Sequence, residues 1–139
     1  MVKTKHNIII AIICFSFYVL LSGCQKSSIN GNLDGRWQIM EMEVNGQVEN
    51  MKDKRLYYNF YLHVCNLTYY GGVFTVGNLR YENNEIYLDF PYINTPDRME
   101  ILRTNYGIYS NPVTFTVFFI DKKKLVIGND ESLITFRKF

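Results

Sequence analysis

The chain has 139 residues, which suits one domain built around one core. Its formal charge of +2 equals the contribution of Lys3 and Lys5 alone, so everything beyond the first few residues is balanced. A neutral domain has no electrostatic reason to seek nucleic acid, and no such partner is expected. Aromatic residues make up 16% of the sequence and stand mostly beside β-branched ones, a mixture that suits pleated, half-buried surface better than helix.

The first 24 residues divide into three parts. Lys3, Lys5 and His6 form a basic start. Residues 8–21 (IIIAIICFSFYVLL) are an apolar run shorter than the roughly 20 residues a membrane-spanning helix needs, and suited to the core of a signal peptide. Leu21-Ser22-Gly23-Cys24 resembles the lipobox of bacterial lipoproteins. That resemblance implies cleavage before Cys24, a diacylglycerol on its thiol and usually an acyl chain on its amine. Each buried acyl carbon is worth about 0.8 kcal/mol, so two or more chains anchor firmly.

Residues 24–32 are polar and read as a tether, which divides the chain into a signal peptide (1–23), a lipidated tether (24–32) and a domain (33–139). Gln25 stands where an aspartate retains many enterobacterial lipoproteins at the inner membrane. The acidic cluster that sends some Bacteroidetes lipoproteins to the cell surface is also missing. By resemblance the expected location is the outer membrane, facing the periplasm, with surface exposure left open. Cys14 leaves with the signal and Cys24 is acylated, so Cys65 stands alone and is expected to be a buried thiol.

Strand signals begin after residue 33. Residues 37–44 form a strand ending at Asn45-Gly46, a dipeptide suited to a type I′ hairpin turn. A charged connector (50–55) leads to a long strand over 56–67, with Leu56, Tyr58, Phe60, Leu62 and Val64 on one face. Gly71-Gly72 turns the chain into a strand over 73–81 with a possible kink at Gly77. Glu82-Asn83-Asn84 then turns it into 85–90, completing a meander. Thr95 as N-cap and Pro96 at the first helical position predict a short helix to about Arg103, before Gly107. Strands over 112–120, 125–127 and 132–139 follow. The prediction is an all-β fold: a small antiparallel up-and-down barrel of about seven or eight strands with one short helix, closed because closure removes unpaired edges.

Leu33-Asp34-Gly35-Arg36-Trp37 resembles the opening of lipocalin-like (calycin-type) domains, and the layout over 33–139 is similar to lipocalin-like domains in small Bacteroidetes lipoproteins. The resemblance implies that Trp37 plugs one barrel end beside Gly35 and that an Arg near the last strand packs across its ring. Arg137 is the candidate. These residues would close the barrel. The chain departs from lipocalins in placing its helix before the last strands.

An enzyme is not expected. His63 is the only histidine after residue 6, no Cys/His metal spacing exists, and no Gly-x-Ser-x-Gly elbow appears. On one continuous strand His63 and Cys65 would share a face, the sharpest nucleophile pair available. A satisfied His on the less apolar face is the plainer reading. Glu41 with Glu43, and Glu85 with Asp89, read as solvent-facing charge. No catalytic residue, metal or cofactor is expected.

Tyrosine offers an apolar body and a polar tip, so Tyr57, Tyr61, Tyr81 and Tyr87, with His63, are the candidate ligand contacts. The leading expectation is non-catalytic enclosure of a small, partly apolar ligand in the barrel mouth, which requires unfilled interior. Two others remain open. A solid barrel could dock an envelope protein on its outer surface, as an assembly factor or enzyme inhibitor, or exposed tyrosines could stack on glycans.

Overall fold

The computed structural model describes residues 3–5, 7–10, 12–13 and 28–139. The first three pieces are helical, and no helix among the described residues is long and apolar enough to cross a membrane. Leu21, Ser22, Gly23 and Cys24, with residues 25–27 of the tether, lie outside the described residues.

Nine antiparallel strands follow: β1 (Gly35–Val44), β2 (Gln47–Asn50), β3 (Tyr57–Tyr61), β4 (Val64–Tyr69), β5 (Gly72–Glu82), β6 (Glu85–Asp89), β7 (Val113–Ile120), β8 (Lys124–Gly128) and β9 (Leu133–Lys138). Strands β3 to β9 each pair with the next, β3 pairs with β1, and β9 returns to β1, so eight strands close a barrel. Strand β2 stands outside the ring, paired to the second half of β1 through the Asn45-Gly46 turn. Asn45 (φ 53°) and Gly46 (φ 75°) are both left-handed, as a type I′ turn requires.

The single strand expected over 56–67 is instead a hairpin. Leu62 adopts φ 53° and forms a two-residue turn with His63, bringing Phe60 opposite Cys65 and Tyr61 opposite Val64. The turn shifts the inward set from even to odd positions. Tyr58 and Phe60 point inward on β3, Cys65 and Leu67 on β4, and Leu62 and Val64 are exposed. Period-two patterning reads straight through such a turn, which is why the sequence looks continuous.

Bulges adjust the phase elsewhere. Strand β1 sends Trp37 and Ile39 inward, is interrupted between Ile39 and Glu41, and then sends Met42 inward, leaving Glu41 on the solvent side. Strand β7 shifts register between Val117 and Phe119, which turns Phe119 outward beside Phe118. Strand β5 keeps its register through Gly77, which pairs with Cys65. A Cβ there would lie 2.5 Å from the Phe90 ring and 2.7 Å from the Asp89 carbonyl, so glycine admits the buried Phe90.

Large rings fill the interior: Trp37, Tyr58, Phe60, Phe115 and Phe136 are fully buried. One end is sealed by a 3-10 turn (Gly31–Leu33), whose buried Leu33 accepts the Trp37 indole N–H at 2.7 Å. Asn30 fastens this turn by donating to the Leu62 carbonyl at 2.8 Å.

Helix α1 (Pro96–Tyr106) covers the other end. Thr95 caps it, accepting the Arg98 N–H at 3.3 Å, as the sequence predicts. It runs past Arg103 because Gly107, at φ 69°, closes the last turn with its N–H on the Arg103 carbonyl at 3.2 Å. Tyr106 stacks on Phe74 of β5 (centroids 5.6 Å apart), its carbonyl accepts the buried Tyr58 hydroxyl, and Gly107 lies against Ile134 and Met42. Both ends of the barrel are stoppered.

Candidate functional site

The residues singled out in the sequence do not converge. His63 is exposed in the β3–β4 turn, whereas Cys65 is fully buried on the interior face. The strand that would have aligned them is broken at Leu62, so no Cys/His pair forms. Burial pushes the Cys65 thiol far above its ordinary range, which suits a packing role and not a nucleophile. Tyr61 is exposed beside the same turn. Tyr81 is half-buried against the core, and Tyr87 lies outside β6 beneath the Arg80 guanidinium. Among the described residues no three His, Cys, Asp or Glu side chains gather as a metal site.

At the sealed end the cation over Trp37 is Lys138, with Nζ 4.4 Å from the ring centroid, and not Arg137. Register decides this. Trp37 pairs with Lys138 and faces inward, whereas Arg137 pairs with Gln38 on the outer face. The Lys138 ammonium also donates to the carbonyls of Asn32 (3.0 Å) and Asp34. Burial pushes its pKa down, and the Asp34 carboxylate partly opposes that. Gly35, at φ 128°, provides the room, since a Cβ there would lie 2.7 Å from Lys138 Cε.

The cleft richest in converging groups lies outside the barrel, on the wall formed by β9, β1 and β3. It is an open depression of about 480 Å³. Its floor holds two outward-facing residues that are nonetheless buried, Gln38 (4% exposed) and Tyr57 (5%). Gln38 is tied at both ends of its amide: Nε2 donates to the Lys52 carbonyl at 3.0 Å, and Oε1 accepts from Arg137 Nη2 at 2.8 Å. Tyr57 meets Phe139 edge to face, with centroids 5.3 Å apart. The Arg36 guanidinium sits 3.9 Å from the centroid of Tyr57 and 4.9 Å from that of Phe139.

A short 3-10 turn (Lys52–Lys54) forms one bank, and Arg55, which ends it at φ 51°, lies 4.9 Å from the Tyr70 ring. Four cations, Arg36, Lys52, Arg55 and Arg137, thus line the cleft against one acidic side chain, Asp53. Of the predicted residues only Tyr57 and Arg137 reach it, and sequence reasoning missed Arg36, Gln38 and Arg55. Gln38 and Tyr57 share a face with Arg137 only once β1 is paired with β3 and β9, and no local pattern reports that register.

A family model described as the lipocalin-like domain matches residues 19–139. The chain belongs to the lipocalin-like domain family. Two solved structures are similar to it. A lipocalin-like protein from Bacteroides uniformis is 23% identical, with TM-score 0.62, over 78% of this chain and all of that one. An uncharacterized protein from Bacteroides eggerthii is 18% identical, with TM-score 0.59, over 76% of this chain and 98% of that one. At these identities the likeness is one of fold. No curated protein matches. The lipocalin-like barrel thus carries its helix between β6 and β7, and its outer wall bears a basic, aromatic cleft.

Proposed function

We propose that this lipocalin-like protein is a lipid-anchored binding protein of the bacterial envelope that engages its ligand on the outside of a solid barrel. The observation that carries this reading is the filled interior. Trp37, Tyr58, Phe60, Phe115 and Phe136 occupy the space an enclosed ligand would need, while Leu33 and α1 stopper the two ends. The alternative of a small apolar ligand held in the barrel mouth requires Tyr106 and its helix to leave the β5 and β3 side chains they pack on. The outer wall supplies orienting donors next to ring faces, with Arg36 over Tyr57 and Arg55 over Tyr70.

Membrane attachment rests on the sequence: a basic start, a short apolar run and Leu21-Ser22-Gly23-Cys24 together support acylation of Cys24 and residence on the periplasmic face of the outer membrane. Mass spectrometry of the chain purified from its own host in mild non-ionic detergent tests both parts. The expected result is an N-terminal peptide beginning at acylated Cys24, lost in Cys24→Ser together with membrane fractionation, and a native mass carrying no apolar passenger. An unmodified Cys24 defeats the anchor, and a lipid-like molecule retained natively but lost on denaturation defeats the solid barrel.

A further inference from the structure

We infer that the outer cleft over β9, β1 and β3 is a binding site for a small anion carried on a ring, a phosphate or carboxylate attached to a sugar or an aromatic group. This deepens the outer-surface reading and rests on it. The side chains beyond Lys5 are balanced in charge, yet four cations face this one depression with Asp53 as its one acidic side chain. Among the described residues the ion pairs are Lys54–Glu49, Arg80–Glu82 and Arg103–Glu100, and none involves a cleft cation. Cations gathered without carboxylate partners repel one another, and an anion between them removes that repulsion.

Arg36 lies over Tyr57 and Phe139, and Arg55 over Tyr70, so aromatic rings hold both guanidinium groups. Neither side chain donates a hydrogen bond among the described residues, which leaves the N–H forks that receive carboxylate or phosphate open. Arg137 is aimed by a different device. Gln38 is buried on an outer wall and spends its amide on the Lys52 carbonyl and on Arg137, which fixes one bank of the cleft relative to the other.

Tyr70 and Phe139 stay 73% and 68% exposed, although each touches an arginine, so each keeps surface for stacking. The Tyr57 hydroxyl donates to nothing among the described residues and is left for a ligand oxygen. Arg55 holds a left-handed backbone that a non-glycine residue adopts at a cost, and such strain persists where the surroundings fix it.

Titration calorimetry of the full chain in non-ionic detergent at low salt tests the site, with glucose 6-phosphate, glucuronate, phenyl phosphate, inorganic phosphate and glucose as probes. Glucose 6-phosphate, glucuronate or phenyl phosphate is expected to bind at least tenfold more tightly than inorganic phosphate, with no heat from glucose. Arg36→Ala and Arg137→Ala each weaken that binding tenfold or more. Gln38→Leu weakens it less, through Arg137, and Arg80→Ala, on β5 across the barrel, leaves it unchanged. Failure of every anion to bind, or equal weakening by Arg80→Ala, overturns the proposal. If binding is untouched by the arginine variants but lost in Phe115→Leu, whose change lies inside the barrel, the outer-surface reading itself falls. If no anion binds while the native mass stays bare, only this site falls.

Discussion

Lys138 lies across the indole of Trp37 with its ammonium 4.4 Å from the ring centroid, and Gly35 is the residue that lets it. The Gly-x-Trp opening is therefore a three-part joint in which glycine admits the lysine stem and tryptophan supplies the surface. The lysine then reaches back to the carbonyls of Asn32 and Asp34. Lys138→Met keeps the apolar stem and removes the charge and both donors. It is expected to cost about 1–2 kcal/mol, by the size of a cation–π contact and a hydrogen bond, in urea unfolding. Gly35→Ala, which adds a clash and a strained φ, should cost more than Lys138→Met.

The Tyr58 hydroxyl donates to the carbonyl of Tyr106 in a fully buried position, joining β3 to the helix that stoppers the barrel. Tyr58→Phe leaves that carbonyl without its donor and should destabilise by about 1–3 kcal/mol, the penalty for an unsatisfied buried polar group. Hydrogen exchange locates the effect. Amides of α1 beyond Pro96 should lose protection before those of β7 and β8, and uniform loss across the barrel would refute the linkage.

Cys65 has no exposed surface, and burial keeps its thiol protonated at ordinary pH. Peptide mapping after treatment with N-ethylmaleimide at pH 8 should find Cys65 unmodified in the native chain and fully modified in urea. Rapid native labelling would place Cys65 on a mobile, solvent-reached wall.

Asp121 accepts the N–H groups of Lys123 and Lys124 at 2.7 Å each, and these bonds hold its carboxyl below its ordinary value of 3.8. A lowered folded pKa means stabilisation that is complete above the ordinary value and is lost as pH falls through the lower folded one. Asp121→Ala should therefore lower Tm at pH 7, and the difference from the parent chain should be smaller at an acid pH well below 3.8. An equal gap at both pH values would assign the loss to something other than the carboxylate.

Local chemistry was legible throughout. Asn45-Gly46, Thr95-Pro96 and Gly107 each perform the turn or cap their residue types prescribe. The closed eight-strand ring also followed from strand spacing and the need to cover edges. Parity and register were less visible. Leu62 continues the apolar alternation of β3, so nothing in the pattern marks the hairpin that separates His63 from Cys65. One residue of register exchanges the roles of Arg137 and Lys138, since neighbours on a strand face opposite ways. The outer cleft was the least legible feature. Its cations come from β1, the turn after β2 and β9, and only the paired backbone brings them together.

The pairing of β1 with β9 also sets a timetable. The Arg137–Gln38 bond spans 99 residues of sequence, and β1 cannot complete its pairing until β9 has been made. A chain emerging from its N-terminus must hold β1 half-paired, with β2 and β3 as its only neighbours, through almost the entire course of synthesis. Contacts so distant in sequence slow folding to roughly milliseconds or longer. A polypeptide that delays its own closure stays threadable meanwhile, which is what the export proposed for this chain requires until its last strand is through.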